Sequence, residues 1–236
     1  MDVIIPLSTG SYWNDSELRY CLRSLDKYFL DLGEIYLVGG KPTWIKNVNH
    51  IPIQDNYPDN KGACIINKIT ILCINNRISD DFLFMSDDHC MLIPMRSKDI
   101  KPYYTYDLKN HRLNFENKLW KKCLTNLRKT LTKEGLPCYN YETHTGKIIN
   151  KDKFRETMLK YDWENTLYPT HSLYFNNTVK NPEQMPGNYR IFFDREQMDV
   201  DLIRGKSWLG FSDLGLSSKL QHKLKELFPK KSRFEK

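Results

Sequence analysis

The stretch Phe82–Pro94, FLFMSDDHCMLIP, decides how the rest of the chain is read. An apolar run enters Asp87, Asp88 and His89, and a second apolar run begins at Cys90. A run this dense suits a strand buried on both faces, where two adjacent carboxylates need a partner. The elements upstream say what sheet that strand joins. DVIIPLS predicts a first buried strand. DSELRYCLRSLDKYFLDLG predicts a helix, capped by Asp15 or Ser16, with Glu17 at its positive end, Leu18, Cys21, Leu22, Leu25 and Phe29 at spacings of three and four, and Gly33 as its stop. EIYLVGG and HIPIQD read as the next two strands. NKGACIINKITILCINNRI reads as a helix through Ala63, Ile66, Ile69, Leu72 and Cys73, and it feeds the strand DFLFMS. The order β-α-β-β-α-β predicts an α/β fold with a mixed, mainly parallel sheet flanked by helices. Ligands of such sheets bind beyond the carboxyl ends of the strands, which is where Asp87, Asp88 and His89 then sit.

The 236 residues suit one domain, and a hydrophobic content of 40% excludes wholesale disorder. We expect residues 1–96 to form a ligand-binding half and residues 97–236 the acceptor-side half of the same domain. No apolar run approaches the roughly 20 residues that span a bilayer. MDVIIPLSTG enters a strand pattern without the regions of a signal peptide, so a cytoplasmic protein is expected. Six cysteines, without C-x-x-C pairs or zinc-ligand spacing, read as reduced packing residues. Charge is uneven: residues 1–100 carry 10 Lys and Arg against 13 Asp and Glu, and residues 101–236 carry 26 against 16. A basic second half suggests an anionic partner or a solvated surface.

The block Asn60–Pro94, NKGACIINKITILCINNRISDDFLFMSDDHCMLIP, resembles the nucleotide-binding half of GT-A-type glycosyltransferases, in which an N-x-G…N helix precedes a D-x-D motif and a proline follows. The resemblance implies a GT-A-like, Rossmann-like fold, and a glycosyltransferase that moves a sugar from a nucleotide-sugar donor, UDP-sugar favoured, to an acceptor hydroxyl. In that family the D-x-D motif holds a divalent cation against the donor diphosphate. The matching triplet here is a D-x-H version, so Asp87 and His89 become the implied metal ligands and Asp88 a donor contact. Histidine, a softer ligand, favours Mn2+ over Mg2+. A second segment, DSELRYCLRSLDKY (Asp15–Tyr28), is similar to the N-x-E-L-R-Y-S-L-R-S segment of Stealth-type sugar-phosphate transferases. SDDH and ETHTGKIINKDKF (Glu142–Phe154) match that family's later N-D-D and H-x-P segments, whereas PLSTGS replaces its opening T-W-V-D. That likeness implies a sugar-1-phosphate transferase instead.

Donor contacts are expected from Ser8, Thr9 and Gly10 after the first strand, from Lys68, and from Arg19 and Arg23, one helical turn apart and able to fork onto phosphate oxygens. Pairing of these arginines with nearby surface carboxylates is the alternative. The general base for the acceptor hydroxyl is sought in His144 and Asp194, with His171 and Asp213 as further candidates. An acceptor glycan is expected; the basic half also admits modified DNA. A third reading is a nucleic-acid-binding module, for which KPYYTYDLKNHR (Lys101–Arg112) would need an exposed sheet. Further on, FENKLWKKCLTNLRKTLTKEG predicts a helix with Phe115, Leu119, Cys123, Leu127 and Leu131 in line. YPTHSLYFNNT and NYRIFFD read as strands, SDLGLSSKLQHKLKELF as a closing helix, and PKKSRFEK as a frayed tail.

Overall fold

The computed structural model describes residues 1–8, 11, 13–74, 78–113 and 117–236. Thr9, Gly10 and Phe115, named above, lie outside them. A five-stranded sheet has the order β3-β2-β1-β4-β6, built from β1 (Val3–Leu7), β2 (Ile35–Gly39), β3 (Asn49–Ile51), β4 (Asp81–Phe84) and β6 (Lys147–Asn150). The first four strands run parallel and β6 returns antiparallel to β4. Side chains alternate strictly between two cores. Ile4, Val38, Phe82 and Phe84 face one, together with α2 (Lys61–Cys73), α3 (Lys118–Lys133), α4 (Lys151–Met158) and α5 (Thr170–Thr178). Val3, Ile5, Leu37 and Leu83 face the other, against α1 (Ser16–Tyr28). Apolar side chains at positions 3–7, 35–38 and 82–84 are therefore required.

A second sheet, β5-β8-β7, combines β5 (His89–Met91), β7 (Arg190–Phe193) and β8 (Trp208–Phe211) under α6 (Ser218–Leu227). The predicted helices and early strands are present. Asn60 caps α2 by accepting from the Ala63 amide at 3.0 Å. Gly62 is needed because a Cβ there would lie 2.5 Å from the Tyr168 carbonyl oxygen. The six cysteines are free thiols, five of them buried. Among the described residues, no helix is long and apolar enough to cross a membrane.

Four expectations are corrected. Asp15 holds the N-cap position of α1 in a left-handed conformation and makes no capping bond; Glu17 instead accepts from the Ser11 hydroxyl and the Trp13 amide. YPTHSLYFNNT contributes helix α5, not a strand: residues 170–176 are all buried, so the apolar face has no period to read, and Asn176, Asn177 and Thr178 return hydrogen bonds to carbonyls one turn back. On α3 the buried line is Leu124, Leu127 and Leu131, while Leu119 is exposed. The tail is docked: Phe234 and Glu235 are buried, and Lys236 donates its amide to the Trp44 carbonyl.

Candidate active site

Strand β4 delivers the chain to the joint between the sheets. Met85 still bonds to the Ile4 carbonyl at 2.9 Å, and after a turn His89 opens β5 opposite Gly210 of β8. Asp87 and Asp88 are the residues of that turn. β2 and β3 lie on one side of β1 and β4 on the other, so the strand order reverses between β1 and β4, the place where open α/β sheets bind ligands. A cleft of about 620 Å3 opens there, walled by Pro6 and Ser8 at the end of β1, Asp55 and Tyr57 after β3, Lys68 of α2, and Phe84, Ser86, Asp87 and Asp88.

The wall of this cleft is pre-ordered. Lys68, almost fully buried, donates to the Leu7 carbonyl at 2.9 Å and pairs with Asp55 at 2.6 Å. Ser8 donates its hydroxyl to the other Asp55 oxygen at 2.8 Å. Burial pushes the Asp55 carboxyl up, but the Lys68 and Ser8 bonds outweigh it and hold the group below its ordinary value. Asp55 was not foreseen in the sequence, where it sits in a short polar connection with no motif. We expect Lys68→Met to destabilise the fold by about 2 kcal/mol, because it removes the buried ammonium that holds both the Leu7 carbonyl and the Asp55 carboxylate. Adding Asp55→Asn should recover part of that loss in urea denaturation. Strict additivity of the two substitutions would refute the coupling.

Among the described residues, no Lys or Arg pairs with the acidic turn. Burial, then the carboxylates of Glu17, Asp15 and Asp213, push Asp87 up to about 6. Burial, then Asp87, Asp213 and Glu17, push Asp88 well above its ordinary value. Asp88 Oδ1 lies 3.4 Å from His89 Nε2 but has no hydrogen-bond partner among the described residues, and neither has the buried His89 Nδ1. An unneutralised carboxylate pair with such an orphaned oxygen fits a divalent cation. The nearest imidazole stands against Asp88, although the D-x-H reading paired His89 with Asp87. Among the described residues, no three His, Cys, Asp or Glu side chains converge on one point, so a bound cation needs oxygens from substrate or water as well.

Beyond His89 the character changes sign. His144 stacks on Phe192 at 3.8 Å and meets His89 edge-on at 5.8 Å, in space left by Gly210, where a Cβ would lie 3.1 Å from His144 Cβ. Its φ of 50° is left-handed, an uncommon conformation for a side-chain-bearing residue that clusters at functional sites. Burial and Arg190 lower its pKa to about 4, so it is neutral at pH 7. His171 shares its Nδ1 proton with Glu142 Oε2 at 2.7 Å. The buried Lys147 donates to Thr143 and Thr145, and burial lowers it to about 7. Glu142, Lys147 and Arg190 were missed because their spacing marks no motif; the antiparallel return of β6 and the second sheet bring them together.

Other expected residues lie elsewhere. Arg19 and Arg23 both bind Glu235 of the tail, at 3.1 and 2.8 Å, so the phosphate fork gives way to a carboxylate clamp. Asp194, just past the end of β7, is exposed and pairs with Arg195 at 3.8 Å. Tyr103, Tyr104 and Tyr106 spend their rings on Tyr189, Tyr139 and His111 in a segment without an extended sheet, which removes the stacking platform of the nucleic-acid reading.

Three solved structures share this architecture. An active-site mutant of LgtC matches with a TM-score of 0.54 at 10% identity, over 96% of this chain and 95% of that one. The galactosyltransferase LgtC in complex with donor and acceptor sugar analogues matches with 0.54 at 10% identity, over 99% and 98%. The chain has a GT-A-like fold. The bifunctional glycosyltransferase WbbM matches with 0.52 at 10% identity, over 89% of this chain and 45% of that chain. No family model and no curated protein matches the sequence. In the GT-A-like frame the acidic turn sits beside the sheet's switch point, at the cleft described above.

Proposed function

We propose that this chain is a glycosyltransferase that takes a nucleotide-sugar donor, UDP-sugar favoured, in the cleft between β1 and β4. The observation that carries the proposal is the unneutralised Asp87–Asp88 pair facing that cleft in a GT-A-like frame. Asp88, with Asp87 or His89 and with oxygens of the donor or of water, would hold a divalent cation, manganese in preference to magnesium. Such a cation, when bound, stabilises the charge that grows on a departing diphosphate. Ser8 and Asp55 offer a hydroxyl and a carboxylate to the nucleoside, and Lys68 holds Asp55 in place. His144, neutral at pH 7 and half-buried at the border of the acidic and basic groups, is placed to accept the proton of an acceptor hydroxyl.

One contact favours a second reading. The two segments that resemble Stealth-type enzymes, SDDH and ETHTGKIINKDKF, meet in space through His89 and His144. A sugar-phosphate transferase would break the diphosphate rather than the glycosidic bond. Incubation with a panel of nucleotide sugars and Mn2+, read by mass spectrometry, separates the two. A nucleoside diphosphate product is expected. A nucleoside monophosphate would establish the second reading, and turnover of no donor would sink both.

A further inference from the structure

Arg190 is half-buried on β7, its Nε is buried without a partner, and no carboxylate pairs with it among the described residues. Its electrostatic neighbours are themselves basic: Lys147, His144 and His89. Among the described residues, Glu142 is the carboxylate acting on Lys147 and His144, and it is spent on His171 Nδ1 at 2.7 Å and on the Ser172 amide at 2.9 Å. His171 turns its Nδ1 to that carboxylate, and its Nε2 is buried with no hydrogen-bond partner among the described residues. A buried guanidinium nitrogen and a buried imidazole nitrogen without partners are costly unless a ligand meets them, and the fixed charge of Arg190 selects an anion. The half-exposed Arg190, His144 and Phe192 leave the cluster open on one side, and the 3.4 Å approach of His89 to Asp88 joins it to the acidic turn.

We propose that this cluster is an anion subsite, held by Arg190 and His171, that takes a phosphate or carboxylate group of the acceptor next to the donor cleft. The word acceptor rests on the transferase reading; the anion subsite does not. It narrows the acceptor to an anionic saccharide or a similarly charged molecule. It also keeps the anion apart from the acidic turn, where a second negative group would be repelled.

Calorimetry with inorganic phosphate, and separately with UDP and Mn2+, tests this on the full chain after thermal melts confirm folding. Phosphate should bind the parent, and Arg190→Gln and His171→Gln should each weaken it about tenfold or more, the value of a charge-assisted bond. Arg190→Lys, which keeps the charge but loses the planar fork, should fall between. UDP with Mn2+ should bind Arg190→Gln as it binds the parent, and Asp87→Asn should show the reverse pattern. Phosphate affinity unchanged in both variants, or no phosphate binding to the parent, overturns the subsite. An equal loss of UDP affinity in Arg190→Gln overturns the acceptor assignment, since the anion would then be the donor's own diphosphate. Phosphate binding that depends on Arg190, with no UDP binding in any form, keeps the subsite and sinks the transferase reading.

Discussion

Asp87→Asn is expected to lower metal-dependent transfer by about a thousandfold while making the metal-free protein more stable. The first effect is the loss of a carboxylate that holds a Lewis acid worth several kcal/mol to the transition state, each 1.36 kcal/mol being tenfold in rate. The second follows from the acidic surroundings. The Asp87 carboxyl, raised to about 6, binds a proton in the folded state more readily than in the unfolded chain. Its destabilising charge is absent at low pH and fully present once the pH has risen through about 6. Asparagine removes that charge, so a gain of about 1–2 kcal/mol is expected at pH 7 and almost none near pH 4. Turnover assays with Mn2+ and urea denaturation at the two pH values, in chelator, provide both readouts. Full activity in the variant would dismiss the metal role, and a loss of stability at pH 7 would contradict the electrostatic account.

The second large effect lies on the other side of α1. Glu235→Gln should cost about 3 kcal/mol, because it leaves the Arg19 and Arg23 guanidiniums with no counter-charge in a largely buried clamp. Glu235 accepts from both arginines and from the Ser232 amide and hydroxyl. Burial alone would raise its carboxyl; these bonds bring it down to about 2. The stabilisation is therefore complete above the unfolded value of about 4.5 and lost as the pH falls toward about 2. Parent and variant should differ in urea midpoint at pH 7 and converge at acid pH. Equal midpoints at pH 7 would reduce the clamp to a solvated surface pair.

The two arginines illustrate where sequence reading stopped. Arg19 and Arg23, one turn apart, announce a fork, but nothing local says that its partner is a carboxylate more than 200 positions away. β1, α1, β2, α2 and β4 were legible because dense apolar runs and helical spacing are local signals. So was the placement of Asp87 and Asp88, since strand alternation fixes which end of the sheet they reach. Helix α5 was not: a helix buried all round loses its 3.6-residue stripe, and its aromatic residues then pass for a strand. Glu142, Lys147 and Arg190 were invisible for a different reason. Their meaning comes from β6 running antiparallel and from a second sheet, and both are long-range pairings.

The turn that carries Asp87 and Asp88 is also where the backbone leaves one sheet for the other. A cation or substrate seated there would act as a rivet between two layers otherwise connected by side-chain packing and the loops after β4 and β6. Occupancy would then be felt far from the cleft, as slower amide exchange in β5 and β8 as well as in β1 and β4, so the protein's own rigidity becomes a gauge of whether the site is filled.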